Sequence, residues 1–173
     1  MDNFAEQLVK KNETSSDKTR RVVMLIVGVL FTASLALLSL LQSGRPVVSF
    51  LGLLLAAAAG YGTYYFVQNT YVEYEYTFTN GELDVDKIIA KKKRHEMLST
   101  NIRQFTDFGK YDDGMDETED MTVIMATDNV AEHEYYADFT DETVGKARLV
   151  FVPDDRMLEN IRKFLPARLR AKQ

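Results

Sequence analysis

The chain of 173 residues contains no cysteine and only two histidines. Without cysteine there is no disulfide, no thiolate zinc site and no thiol redox chemistry. The histidines are His95 and His133, and the second stands in Glu132-His133-Glu134. Alternation along a strand sends His133 away from both glutamates, so both histidines read as surface residues and no metal site is expected. A Gly-rich phosphate loop, a Gly-x-Ser-x-Gly elbow and an HExxH pair are all missing. Asp84 and Asp86 share a strand face, an arrangement a hydrolase could use, but solvated aspartates beside a turn are the commoner occurrence. The sequence therefore predicts no catalytic residue and no cofactor, and catalysis is the weaker class.

Positive charge is also in short supply. Lys and Arg number 21 against 26 Asp and Glu, a net charge of -5. The balance is uneven, +2 up to Val67 and -7 thereafter. Phosphate neutralisation needs a basic face, so nucleic acid is excluded as an expected partner of the acidic part.

Uncharged apolar sequence is what the chain has in quantity. Residues 22–41 and 47–67 are two runs without a charged side chain, separated by Gln42-Ser43-Gly44-Arg45-Pro46. At about 1.5 Å per residue each run makes a helix of roughly 30 Å, the hydrocarbon thickness of a bilayer. Gly44 and Pro46 suit the tight turn between them. Residues 22–67 thus read as a transmembrane helical hairpin, and the basic residues near its ends set an orientation. Lys10, Lys11, Lys18, Arg20 and Arg21 precede the first run and Arg45 alone sits in the turn, which predicts a two-pass protein of the cell membrane with both termini in the cytoplasm. Gly28, Thr32 and Ala36 in the first run, and Gly52, Ala56 and Gly60 in the second, recur every four residues on one face. They suit packing of the two helices on each other, and alternatively association with a protein partner or a second copy. Neither run carries an ionisable side chain for a proton or ion pathway.

Residues 1–21 read as a polar cytoplasmic tail with a weak helical pattern at Phe4 and Leu8. After the hairpin the period changes to two. Tyr74, Tyr76 and Phe78 alternate with Glu73, Glu75, Thr77 and Thr79, and Asn80-Gly81 is a strong hairpin-turn signal. Leu83, Val85, Ile88 and Ile89 carry the return strand, which ends in Lys91-Lys92-Lys93-Arg94. If that strand hairpin stands upright on the membrane, these four residues reach the bilayer surface and contact anionic lipids; in a tilted one they are a solvated loop. Residues 106–120 hold seven carboxylates and lack the alternating ligands of a calcium loop, so an acidic loop is expected. Residues 121–126, 135–139 and 147–152 read as further strands. Pro153-Asp154-Asp155 opens a helix with Met157, Leu158, Ile161, Phe164 and Leu165 on one face. Residues 167–173 read as a basic tail.

The expected fold class is α+β: a two-helix transmembrane hairpin, then a small antiparallel β-barrel or sandwich over residues 71–166, capped by a C-terminal helix. With YEYTFTNGELDVDKIIAKKKR as its opening strand hairpin, the chain resembles an uncharacterised family of small bacterial, clostridial-type membrane proteins over residues 22–165. That resemblance implies a pleckstrin-homology-like (PH-like) cytoplasmic domain and carries no activity with it. Phosphoinositide-binding PH domains place basic residues between their first strands, whereas Asn80-Gly81 is a short turn with acidic neighbours. The function expected is a non-enzymatic membrane-anchored adaptor in the lipid bilayer, whose PH-like domain binds a partner protein or lies against anionic lipids of the inner leaflet. The alternative is an accessory subunit of a larger membrane complex assembled through the helices.

Overall fold

A computed structural model describes residues 3–112, 114–115, 120–128, 133–141 and 144–171. The chain divides into two compact units, residues 13–71 and residues 1–12 with 72–173.

The first unit is an antiparallel helix pair. Helix α1 (Ser15–Leu41) starts well before the charge-free run, because Asp17 accepts a hydrogen bond from the Thr14 amide (3.3 Å) in the first turn. Pro46 opens helix α2 (Pro46–Gln68) at a position where its missing N–H costs nothing. Both helices are long and apolar enough to cross a membrane. Their small residues allow close approach. A Cβ on Gly28 would come 2.1 Å from Thr63 Cγ2, one on Gly52 would come 2.8 Å from Ser39 Oγ, and Gly60 faces Thr32. Ala56 is buried at the same seam, Ala36 is half-buried, and the Ser39 hydroxyl donates to the Ser49 carbonyl. At the open end of the pair Arg21 bonds Glu13 (2.6 Å), donates to Thr70 Oγ1 (3.1 Å) and lies 4.0 Å over the Tyr71 ring.

The second unit holds two four-stranded sheets. In the first, β1 (Phe4–Lys10), β2 (Val72–Thr79), β3 (Glu82–Ile89) and β4 (Lys93–Asn101) pair antiparallel in that order. Asn80 and Gly81 have φ of 50° and 101°, the left-handed pair that a tight turn between twisted strands requires. A register shift at Val85/Asp86 bulges β4. In the second sheet β5 (Asp107–Lys110), β7 (Tyr135–Asp141), β8 (Gly145–Phe151) and β6 (Thr122–Ala126) follow in the order β5-β7-β8-β6, with β6 parallel to β8. The sheets remain separate among the described residues, so the architecture is a sandwich rather than a closed barrel.

Tyr76, Phe78, Leu83 and Val85 from the first sheet meet Phe139, Leu149 and Phe151 from the second in one core. Helix α3 (Asp155–Phe164) begins where Asp154 accepts from the Met157 amide (2.7 Å), and it buries Met157, Leu158 and Ile161. Phe164 lies edge-on to Phe78 at 5.4 Å.

Three expectations need correction. Residues 1–21 are not a tail: β1 pairs along β2 from Phe4↔Thr79 to Lys10↔Glu73, and α1 takes up the rest from Ser15. The pattern misleads because β1 turns small Ala5 and Val9 inward and leaves Phe4 and Leu8 about half exposed. Between them the inward Gln7 donates to the Val152 carbonyl and accepts from the Asp154 amide, both at 2.8 Å, so a polar residue belongs inside. Of the basic tail expected over residues 167–173, residues 167–171 are described and do not hang free. Pro166 stops α3, a short helix α4 (Ala167–Arg170) follows, and Leu169 enters the core at 2% exposure. Finally, residues 107–110 of the expected acidic loop are strand β5; residues 113 and 116–119 of that loop lie outside the described residues.

Candidate functional site

The basic run lies where β3 gives way to β4. Lys91 and Lys92 lie in the tight turn from β3 to β4, and Lys93 and Arg94 open β4. The amide of Lys92 donates to the Ile89 carbonyl (3.1 Å), and Ala90 and Lys91 take φ of 55° and 57°. Both central residues are thus left-handed, as at Asn80-Gly81, although neither is glycine or asparagine.

Strand register fixes which end of the sheet this turn occupies. Val72 stands opposite Ile89, and Ile89 opposite Lys93. Lys10 stands opposite Glu73, and the Lys11 amide donates to the Val72 carbonyl. The end of β1, the start of β2 and the β3–β4 turn therefore share one edge of the sheet. Adjacent strands are about 4.8 Å apart, so the edge from Lys10 to Lys93 is about 15 Å wide. Lys10, Lys11, Lys91 and Lys92 are exposed there, without a carboxylate in ion-pair range among the described residues. Lys10 and Lys11 are the members that sequence reading counts only toward orientation, because nothing local marks residues 4–10 as a strand.

Arg94 is set apart from its neighbours. Its guanidinium pairs with the Glu75 carboxylate and stands 3.7 Å from Asp86. Glu75 is 7% exposed, so this arginine balances a carboxylate that the sheet holds away from water.

Other polar clusters in the second unit are likewise bound into the fold. Arg148, 5% exposed, makes a bidentate pair with Asp138 (2.7 and 2.8 Å) and lies 5.1 Å over the Tyr136 ring. The Tyr136 hydroxyl donates to Asp107 Oδ2 (3.0 Å); burial and that acceptor push its pKa up to about 12. Tyr76 OH donates to the Ala126 carbonyl and accepts from the Val152 amide (3.3 Å), and burial raises its pKa strongly. A cleft of about 400 Å³ is lined by Gln7, Lys110, His133, Tyr135 and the start of α3. His95 is an exposed residue of β4, opposite Lys87. Asp84 bonds Ser99 (2.6 Å) and Asp86 faces Arg94, so the pair has separate partners. Among the described residues no three His, Asp or Glu side chains gather at metal-holding distance.

In the helical unit Gly28, Gly52 and Gly60, with Thr32 opposite Gly60, face the partner helix, Ala56 is buried and Ala36 is half-buried. The surface left outside carries Leu25, Val29, Leu37, Leu51 and Phe66, all exposed.

Two sheets packed face to face, closed by an amphipathic C-terminal helix and interrupted after the first strand by an apolar helix pair, define a PH-like α+β protein. The chain belongs to the family described as Bacterial PH-like domain (DUF6106), whose model matches residues 1–171. That match takes in β1 and both apolar helices as well as the sheets. Neither a curated protein nor a solved structure matches the chain.

Proposed function

We propose that this protein is a non-enzymatic, membrane-anchored adaptor of the bacterial cell membrane, with its PH-like domain on the cytoplasmic face. The observation that carries the reading is the insertion of the helix pair between β1 and β2 of one sheet. A pair of spanning helices returns the chain to the side it left, which is what β1 and β2 need in order to pair. The basic residues before α1 against the single Arg45 in the turn favour the cytoplasm for that side. Binding is favoured over catalysis because Gln7, Tyr76, Tyr136, Asp138 and Arg148 are held in structural bonds. The accessory-subunit alternative loses its natural contact face, since the small residues pack the hairpin on itself.

The absence of cysteine gives a direct test. Ser43→Cys in the helix turn and, separately, Glu82→Cys in the domain are exposed to a membrane-impermeant maleimide on intact spheroplasts. Labelling of position 43 with protection of position 82 until lysis is expected. The reverse pattern, or equal labelling of both, sinks the reading.

A further inference from the structure

We propose that the β3–β4 turn and the end of β1 form a contact surface for an anionic phospholipid bilayer, through Lys10, Lys11, Lys91 and Lys92. This deepens the anchoring reading and rests on it.

The turn itself carries the argument. The sheet has two tight turns of left-handed build. At one end the residues are Asn80-Gly81, which adopt that conformation at little cost; at the other they are Ala90-Lys91, which do so only with strain. Strain of this kind persists where the position serves something besides folding. Here it sets Lys91 and Lys92, both exposed, in the three-residue connection between β3 and β4. Asn-Gly in the same place would give the same turn with one lysine fewer.

The location of the turn supplies the second observation. It lies on the edge of the sheet at which β1 ends and β2 begins, the edge through which the chain passes to and from the apolar helices. Four residues separate β1 from α1, and three separate α2 from β2. Lys10 and Lys11 add to that edge, and the opposite edge has none of this charge at its turn, where Asn80-Gly81 is followed by Glu82.

The third observation is the charge of the rest. Residues 72–173 carry a net charge of -7. An acidic domain held near an anionic surface is repelled from it in most orientations. The lysine edge is the orientation in which attraction replaces repulsion. Arg94 takes no part, because Glu75 and Asp86 hold it back along the outer face.

The test uses the full-length protein in lipid nanodiscs of phosphatidylcholine alone or with phosphatidylglycerol added. A fluorophore on His95→Cys reports the lysine edge, one on Glu82→Cys reports the opposite edge, and nitroxide on the lipid headgroups quenches whichever is close. Strong quenching at position 95 in the anionic discs is expected, falling toward the level of position 82 in neutral discs and at about 0.5 M salt. Each lysine contributes about fivefold to the docked-to-undocked ratio, so Lys91→Gln with Lys92→Gln lowers it about 25-fold. The salt titration on the unsubstituted lysines decides the matter even if that double variant folds poorly. Equal quenching at position 95 in neutral and anionic discs overturns the proposal, as does none in either. Retention of the chain in neutral discs tests anchoring separately. A chain that leaves neutral discs yet floats with anionic vesicles overturns the anchoring and keeps the lysine surface; one that floats with neither overturns both.

Discussion

Replacing the strained turn by its relaxed counterpart, Ala90→Asn together with Lys91→Gly, is expected to stabilise the domain. The left-handed conformation costs an L-residue other than glycine or asparagine about 1–2 kcal/mol, and both Ala90 and Lys91 adopt it. Glycine gives back about 0.5–1 kcal/mol through the greater freedom of its unfolded chain. The turn hydrogen bond from the Lys92 amide to the Ile89 carbonyl is retained, since it involves backbone alone. The net gain is at least about 1 kcal/mol. For a unit of roughly 110 residues, with an unfolding entropy of about 2.1 cal/mol/K per residue, that raises Tm by at least about 4 °C. Thermal unfolding of the detergent-solubilised chain, followed by circular dichroism in the strand region, measures the shift. An unchanged or lowered Tm refutes the account of the turn as strained. The same variant loses one lysine from the bilayer edge, so greater stability and weaker attraction to anionic lipid are expected together.

Two other substitutions probe elements the sequence hides or uses quietly. Leu169→Ala removes a side chain 2% exposed in the core and is expected to cost about 2–4 kcal/mol in denaturant unfolding, where a free tail would register nothing. Gly28→Leu places a side chain where even a Cβ would stand 2.1 Å from Thr63 Cγ2, so the α1–α2 seam must open. Chemical cross-linking between cysteines placed on the two helices is expected to fall several-fold; unchanged cross-linking would mean that the seam lies elsewhere.

The legible parts of this fold are those in which local and global signals agree. Twenty uncharged residues make a helix whatever lies around them, Asn80-Gly81 names its own turn, and Met157, Leu158 and Ile161 follow a period that needs a partner surface. Strand β1 fails that condition. Its inward residues are small or polar and its large ones, Phe4 and Leu8, face out, so the strand exists through backbone pairing with β2 about 70 residues away. The parallel placement of β6 beside β8 is likewise a matter of tertiary order, invisible in Thr122–Ala126 itself. At the candidate site the lysines are plain in the sequence, but the division of labour among them is not. Only the register of β2, β3 and β4 brings Glu75 and Asp86 beside Arg94 and leaves Lys91 and Lys92 uncommitted.

The insertion of the helix pair between β1 and β2 has a consequence for how the protein is made. The first strand leaves the ribosome long before its partner, since Phe4 must wait for Thr79. A contact this distant in sequence closes late in folding. With both helices across the bilayer, β1 and β2 meet on one side and the sheet completes. With only one helix inserted, the membrane itself lies between them: β2 keeps a bare edge, Gln7 never reaches Val152 and Asp154, and the start of α3 goes unpinned. Under the proposed membrane anchoring, correct threading is thereby a precondition of the folded domain. A misrouted copy exposes an open strand edge for quality-control proteases to recognise.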